Sequence, residues 1–93
     1  MSDQALRLTI HGRVQGVGYR AWTLDEARRL GLRGWVRNRA DGSVEALAIG
    51  DPVAIETLAT LCARGPHFAR VDSVERHPAS DDGSPGFEQA PTA

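Results

Sequence analysis

Residues 6–31 read LRLTIHGRVQGVGYRAWTLDEARRLG, so an alternating segment, a glycine-rich segment and a helical segment follow one another. In residues 6–10 apolar and polar side chains alternate, which is the period of a half-buried strand. Glycines occupy three of the seven positions from 12 to 18. From about residue 21 to residue 30 apolar residues recur every three or four positions, and Gly31 suits a left-handed cap at the end of a helix. This stretch therefore predicts a strand, a glycine-rich loop and a helix.

The rest of the chain predicts three more strands and a second helix. Short apolar or alternating segments place the strands at about residues 35–38, 43–49 and 69–76. Asp51 is a suitable N-cap for a helix that ends at Gly65. Two valines fall out of period in the last of these strands, which predicts a bulge or bend there.

The order β-α-β-β-α-β predicts the fold class. It indicates an α+β, ferredoxin-like split β-α-β fold, with a four-stranded antiparallel sheet and two helices on one face. We expect a single domain over residues 1–93, with a core of about residues 5–77 and a weakly structured tail over residues 78–93. Within that tail, Phe87–Gln89 is the candidate for a short extra edge strand at the C-terminus.

The composition excludes several classes of protein. The chain has 93 residues, of which 41% are hydrophobic and 25% are charged, which is ordinary for a folded domain and unlike a collagen-like or disordered chain. No apolar run is long enough to span a bilayer, and residues 1–10 lack the apolar core of a secretory signal. The single cysteine, Cys62, cannot form an internal disulfide. We therefore expect a cytoplasmic protein and, by default, a monomer.

The net charge of −1 argues against general affinity for nucleic acids or membranes, but the charge is unevenly distributed. Residues 1–40 contain eight arginines and three acidic residues, whereas residues 41–93 contain three arginines and nine acidic residues. All eleven basic residues are arginine. Codon bias explains this pattern, and so does an anion site in the first half of the chain, because a planar guanidinium matches phosphate oxygens. Charge alone does not choose between them.

The glycine-rich loop is a candidate anion site. A loop with this many glycines can turn its backbone amides inward and form a concave nest. The positive end of the following helix and the guanidinium of Arg20 favour the same negative charge. The alternative is an ordinary flexible connection with an exposed arginine. The spacing matches neither the dinucleotide-binding fingerprint nor the P-loop.

Asn38 is the second candidate residue. The first and second predicted strands run in the same direction, so their C-terminal ends share one rim of the sheet, and the glycine-rich loop and Asn38 are expected to be neighbours. An asparagine that ends a strand just before a turn such as Ala40-Asp41-Gly42 commonly caps that turn. Its carboxamide can also hold a water against a phosphorus atom. Both interpretations can be true at once.

Two motifs resemble the signatures of the acylphosphatase family. Residues 12–20, GRVQGVGYR, are similar to its signature loop, and residues 34–38, GWVRN, with Gly42 resemble its second signature. The resemblance covers about residues 5–77. It implies the ferredoxin-like fold and hydrolysis of the carboxyl–phosphate bond of acyl phosphates, with no metal and no cofactor.

The resemblance also implies a role for each candidate residue. Arg20 would be the ligand of the substrate phosphate, and Asn38 would position the attacking water. Backbone amides of the loop would cradle the phosphate, and these belong to Val14, Gln15, Gly16, Val17, Gly18 and Tyr19. The implied partner is a small acyl phosphate, with inorganic phosphate as product and competing ligand. Neither a nucleic acid nor a membrane is expected as a partner.

A rival function and two departures from the family accompany this interpretation. The rival is a non-catalytic module that binds an anion or a small ligand on the same fold. The three histidines are scattered without ligand spacing, so no metal site is predicted. Cys62 lies on an apolar helical stripe and belongs to the predicted core.

Tyr19 stands where the family frequently has phenylalanine. The tail is weaker than the apolar strand with which the family usually ends.

Overall fold

The computed structural model describes residues 3–93, so the first two residues of the segment assessed for a secretory signal lie outside the described residues. Within the described range the chain forms five strands and two helices. They are, in chain order, β1 (Gln4–Arg13), α1 (Tyr19–Arg29), β2 (Arg33–Asn38), β3 (Val44–Gly50), α2 (Pro52–Arg64), β4 (Arg70–Pro78) and β5 (Phe87–Gln89).

The strands form one sheet in the order β4-β1-β3-β2-β5. β1 is antiparallel to β3 and β4, β3 is antiparallel to β2, and β5 is parallel to β2. The α+β, ferredoxin-like fold predicted from the order of the elements is therefore confirmed, with β5 as an additional edge strand. Because β1 and β2 both run antiparallel to β3, their C-terminal ends lie at the same rim of the sheet. This rim carries the candidate site.

The core lies between the sheet and the two helices. The central strand β3 is buried along its whole length, and Val44, Ala46 and Ala48 belong to the core on the side of the helices. α2 contributes the predicted apolar stripe, which consists of Ile55, Leu58, Ala59 and Cys62. Burial raises the pKa of the Cys62 thiol to about 11, so this thiol is protonated at neutral pH. Cys62 is a core residue, as its position on the stripe predicted.

The C-terminal end of α1 forms the cap predicted at Gly31. The Gly31 amide donates to the carbonyl oxygen of Arg28, and the Leu32 amide donates to that of Ala27, both over 3.0 Å. These are the two bonds of a Schellman motif, and Gly31 adopts the left-handed φ of 72° that the motif requires. The motif turns the chain sharply from α1 into β2.

Both ends of α2 also follow the prediction. The Asp51 carboxylate accepts a hydrogen bond of 2.7 Å from the Val53 amide, and Pro52 occupies the first helical position. Gly65 ends the helix with a φ of 70°. In the described part of the chain, neither helix is long and apolar enough to cross a membrane.

A bulge interrupts β4 where the valine spacing predicted one. His11 pairs with Ser73 and the next residue, Gly12, pairs with Val71, so Asp72 is an extra residue on β4. A Cβ atom on Gly12 would lie 2.1 Å from a backbone oxygen of β4, and the φ of this residue is 135°. Glycine is therefore required at the point where β1 turns into the loop.

Within the tail over residues 78–93, residues 79–86 and 90–93 form no helix or strand. The candidate strand Phe87–Gln89 does form, and the side chain of Phe87 is only 2% exposed. Backbone pairing continues to the last residue, because the Ala93 amide donates to the carbonyl oxygen of Asn38 over 3.0 Å. One buried aromatic side chain and a parallel ladder with β2 hold a segment whose composition is otherwise typical of a loop.

Candidate active site

A short loop joins β1 to α1 and forms a small cavity at the rim of the sheet. Gly16 and Gly18 have φ values of 73° and 84°, in the left-handed region that turns successive amides to one side. The cavity has a volume of about 120 Å³. Its lining consists of Val14, Gly16, Gly18, Tyr19, Arg20, Ala21 and Gln89. The predicted loop residues Gln15 and Val17 belong to the same loop but do not line the cavity.

Arg20 lies at the second position of α1 and lines this cavity. α1 begins at Tyr19, two residues before the start predicted from apolar spacing, so Arg20 lies within the first turn, where backbone amides carry the positive end of the helix. The side chain of Arg20 takes no part in the ion pairs of the described residues. A guanidinium without a carboxylate partner, beside a helix N-terminus, is suited to bind an anion.

Tyr19 anchors the loop and the helix start to the core. Its side chain is 1% exposed, and its hydroxyl donates a 2.8 Å hydrogen bond to the carbonyl oxygen of Cys62 on α2. Burial raises the pKa of the Tyr19 phenol, so it is a neutral donor. The hydroxyl that distinguishes this position from the phenylalanine of the family is therefore accommodated by a backbone acceptor, and the loop geometry does not depend on its absence.

Gln15 ties the loop to the hairpin between β2 and β3. Its carboxamide nitrogen donates to the carbonyl oxygens of Arg39 and Ser43, each over 2.8 Å. Arg39 directly follows Asn38, so these two bonds hold the loop against the end of β2. The predicted proximity of the glycine-rich loop and Asn38 is confirmed, and the side chain of Gln15 is the connection between them.

Asn38 ends β2 and does not cap the hairpin turn. Asp41 caps the turn instead, because its carboxylate accepts hydrogen bonds from the amide and the hydroxyl of Ser43 over 2.9 and 2.6 Å. The Oδ1 atom of Asn38 is buried and accepts no hydrogen bond from another described residue. Asn38 does not line the cavity of Arg20. Its carboxamide is thus held at the rim with an acceptor that no described residue satisfies.

A buried carboxylate fixes the backbone around Asn38 from the other face of the sheet. Glu45 accepts hydrogen bonds of 2.8 Å from both Arg7 and Arg37, and the guanidinium of Arg39 lies 3.6 Å away. Burial alone would raise the pKa of Glu45, but the hydrogen bonds from Arg37 and Arg7 outweigh it and lower the pKa. The two arginines that flank Asn38 in sequence are therefore both held by one carboxylate.

Two residues of the cavity lining were not among the predicted site residues. Ala21 directly follows Arg20 on α1, and Gln89 belongs to β5. The loop motif ends at Arg20, and Ala21 is the residue directly after it. Nothing in the sequence of residues 78–93 indicates that Gln89 lies close to the first helix. Among the described residues, no three His, Cys, Asp or Glu side chains are grouped as metal ligands would be.

Comparison with known proteins identifies the family. The acylphosphatase family model matches residues 6–89. The acylphosphatase of Rhodospirillum rubrum is 49% identical over 89 residues, which cover 96% of this chain and 98% of the relative. That of Nitrobacter hamburgensis is 50% identical over 98 aligned positions, which cover 99% of each chain.

The solved structures agree with the sequence relatives. The crystal structure of the acylphosphatase from Bacillus subtilis superimposes with a TM-score of 0.88 at 36% identity, and the superposition covers 92% of this chain and 97% of the other. The family model extends to residue 89, so it includes the strand β5, which the composition of the tail indicates only weakly. The chain therefore belongs to the acylphosphatase family and has the acylphosphatase function that its two motifs predicted.

Proposed function

We propose that this acylphosphatase holds the phosphoryl group of its substrate with Arg20 and the backbone amides of residues 14–19, and that Asn38 positions the attacking water. One observation carries the proposal. The guanidinium of Arg20 has no carboxylate partner among the described residues and lies in the lining of a cavity with glycine in its wall. A planar guanidinium and the amides at a helix N-terminus both favour a phosphoryl group at this place.

The reaction needs few protein groups because of its leaving group. Water attacks phosphorus, the bond between phosphorus and the carboxyl oxygen breaks, and the carboxylate leaves with the electron pair. A carboxylate is stable without a proton, so no general acid is required, and an oxygen of the phosphoryl group takes the proton of the water. Neither a metal nor a cofactor is part of this proposal. Catalysis then consists of positioning and charge stabilisation, as in phosphoryl transfer generally.

The assignment of Asn38 rests on its free acceptor. A water molecule that attacks phosphorus must direct a lone pair at the phosphorus atom and must therefore donate its hydrogens elsewhere. The Oδ1 atom of Asn38 is buried and has no donor among the described residues, and the bonds from Gln15 hold the loop beside it. It is suited to accept one of the hydrogens of the water.

Arg20→Ala tests the phosphate ligand. Because the guanidinium meets the phosphoryl charge in the ground state and the transition state, both substrate affinity and turnover should fall, and turnover should drop by roughly a hundredfold or more. Phosphate release from acetyl phosphate is the measurement. Arg20→Lys should not restore full activity, since an ammonium lacks the planar fork.

Arg29→Ala is the matched control for this test. Arg29 lies at the far end of the same helix, where it pairs with Glu26. It should keep the turnover of the unmodified protein. A folded Arg20→Ala variant with unchanged turnover would falsify the assignment of the phosphate ligand.

A non-catalytic anion-binding module is the rival function, and the same assay separates the two. Such a module would bind inorganic phosphate in the Arg20 cavity but release no phosphate from acetyl phosphate. The free carboxamide of Asn38 favours the enzyme, because a site that only binds phosphate has no use for an acceptor placed beside the loop.

The remaining partners are proposed from composition and chemistry. The substrate is a small acyl phosphate, and inorganic phosphate is both a product and a competing ligand. The net charge of −1 supports the proposal that neither nucleic acids nor membranes are partners. We place the protein in the cytoplasm, because its one cysteine is free and buried, and we take a monomer as the default state.

A further inference from the structure

Phe68 is an exposed aromatic residue at the rim that carries the site. Its residue exposure is 45%, and in the described part of the chain Val53 is the other large apolar residue that is exposed. Val53 lies in the first turn of α2, which begins at the opposite rim, where β3 ends. Single exposed apolar residues are common on protein surfaces, so exposure alone carries no function. Phe68 differs from such residues because it lies next to the loop of the candidate site.

The ring of Phe68 lies beside the wall of the phosphate cavity. Its Cε2 atom is 3.9 Å from the position that a Cβ atom on Gly18 would occupy, and Gly18 lines the cavity. The segment that carries Phe68 is ordered by a turn, in which the Ala69 amide donates to the carbonyl oxygen of Pro66 over 3.0 Å. The ring of His67 packs edge-on against that of Phe68, with centroids 5.6 Å apart. An apolar ring is therefore held next to Gly18 of the loop, although Phe68 itself does not line the cavity.

The strand order places Phe68 and Asn38 on opposite sides of the loop. Phe68 directly precedes β4, where Arg70 pairs with Arg13 at the end of β1. Asn38 ends β2, which lies on the other side of β1, beyond β3. The loop that follows β1 thus lies between the two residues. Attacking and leaving oxygens lie roughly in line through phosphorus in phosphoryl transfer. With the water on the side of Asn38, the acyl group extends toward Phe68.

We propose that Phe68 is a specificity-determining residue that contacts the acyl group of the substrate and favours acyl phosphates with an apolar, above all aromatic, acyl group. The inference rests on the roles proposed for Arg20 and Asn38, because those roles set the direction of the leaving group. Aromatic and acyl carbon atoms attract each other in the ground state and the transition state alike. The contact therefore acts on KM more than on kcat.

The test compares two substrates that share the phosphoryl group and differ in the acyl group. Rates of benzoyl phosphate and acetyl phosphate hydrolysis are measured for the unmodified protein, Phe68→Ala and Phe68→Leu. For Phe68→Ala we expect kcat/KM for benzoyl phosphate to fall by about fivefold to tenfold, mainly through KM, which is the size of one aromatic contact. The value for acetyl phosphate should fall by at most about twofold. Phe68→Leu should lie between the two proteins.

Val53→Ala is the matched control, because it removes an exposed apolar side chain at the other rim. It should leave the ratio of the two kcat/KM values unchanged, and the thermal melt of every variant should remain close to that of the unmodified protein. Inhibition by inorganic phosphate should also be the same in Phe68→Ala, since the phosphate cradle is intact.

Two outcomes would overturn the proposal for Phe68. A parallel fall for both substrates, with weaker inhibition by inorganic phosphate, would mean that the ring only supports Gly18 and the loop. Unchanged kinetics for both substrates would mean that the acyl group does not reach the ring. A failure of the proposed site appears differently, as an Arg20→Ala variant that still hydrolyses both substrates at the rate of the unmodified protein.

Discussion

Two polar residues near the turn of the β2–β3 hairpin, Asp41 and Asn38, differ in their hydrogen bonds. Asp41 caps the turn through the amide and hydroxyl of Ser43, although its position in an Ala-Asp-Gly sequence makes it look like a simple turn residue. The side chain of Asn38 is therefore not needed to cap the turn, and its buried Oδ1 has no donor among the described residues. An unsatisfied buried acceptor is destabilising, and the water-binding role proposed for Asn38 would offset that cost.

Asn38→Ala should lower turnover far more than phosphate binding. The variant loses the acceptor proposed to orient the water, while Arg20 and the loop amides remain available to the anion. Orientation of a nucleophile typically accounts for on the order of a hundredfold in rate or more. Inhibition by inorganic phosphate should stay within a few-fold of the unmodified protein, and turnover of acetyl phosphate should show the large loss.

Asp41→Ala is the natural partner for this experiment. Its loss removes the cap and should lower the free energy of unfolding by about 1 kcal/mol, with little effect on turnover. If instead a folded Asn38→Ala variant bound phosphate much more weakly, Asn38 would be a phosphate ligand. If it were fully active, Asn38 would have only a structural role.

The residues of the site differ in how far the sequence determines them. Arg20 and the loop were predictable because their types and spacing are local, between one strand and one helix. The side chain of Gln15 was not, because its two acceptors, the carbonyl oxygens of Arg39 and Ser43, belong to a hairpin that only the folded sheet brings near. Gln15 was predicted through its backbone amide, whereas the structure shows its carboxamide as the tie to the hairpin.

At the scale of elements, β5 depends on one side chain. The strand has three residues, and Phe87 is the one that is buried. A Cβ atom on Gly34 would be in ordinary contact with the Phe87 ring at 3.5 Å but would lie 1.8 Å from the carbonyl oxygen of Leu47, so the close approach of β3 requires the glycine of β2. The Gly34 amide also donates to the carbonyl oxygen of Gly86 over 2.9 Å. β5 in turn places Gln89 in the lining of the cavity.

Phe87→Ala should therefore destabilise the whole domain. Truncation of a fully buried phenylalanine typically costs about 3–5 kcal/mol, through lost burial and the cavity left behind. Urea unfolding measures this free energy. Glu88→Ala, at the exposed neighbouring position, should change it by less than about 0.5 kcal/mol. A loss below about 1 kcal/mol for Phe87→Ala would mean that β5 frays without consequence for the core.

β5 was predictable only as a candidate strand, for a physical reason. A strand of three residues shows no period, and Pro91 argues against a ladder close by. What stabilises it is a parallel pairing with β2, reached by a connection that leaves β4 at one edge of the sheet and arrives at the other. The four longer strands and both helices were predictable from local sequence, because each carried an apolar segment bounded by a turn, a glycine or a cap.

At the scale of the whole molecule, the uneven distribution of charge along the chain is used in folding. Most arginines of the first forty residues pair with carboxylates, and these are Arg7, Arg28, Arg29, Arg33, Arg37 and Arg39. Most of those carboxylates come from the second half of the chain, as in the pairs of Arg28 with Glu88 and Arg33 with Asp81. Among the described residues, Arg13 and Arg20 remain outside these pairs, and both flank the glycine-rich loop. Of the arginines in the first forty residues, folding thus leaves unpaired the two beside the candidate site.

The buried carboxylate of Glu45 should make the stability of the fold depend on acid. Its pKa is lowered in the folded protein because the hydrogen bonds from Arg37 and Arg7 outweigh the effect of burial, whereas in the unfolded chain it returns to its ordinary value of 4.5. A depressed folded pKa means that the unfolded chain binds the proton more readily at intermediate pH. The stabilisation is complete above pH 4.5 and is lost as the pH falls through the folded value.

Glu45→Gln tests this by removing the titrating group while nearly keeping its shape. At pH 7 the variant should unfold with about 2–3 kcal/mol less free energy, because hydrogen bonds from guanidinium groups to a charged acceptor become bonds to a neutral one. Below pH 4.5 the difference should shrink, since the unfolded chain of the unmodified protein then takes up a proton at Glu45 before the folded protein does, and it should vanish below the lowered folded pKa. Urea unfolding between pH 7 and pH 3 measures the free energy of unfolding of both proteins as a function of pH.

Glu88→Gln is the control, because the side chain of Glu88 is 71% exposed. Its free energy of unfolding should equal that of the unmodified protein over the whole pH range. Parallel curves for Glu45→Gln and the unmodified protein would show that the charge of Glu45 does not stabilise the sheet, and that packing alone holds β2 beside the loop.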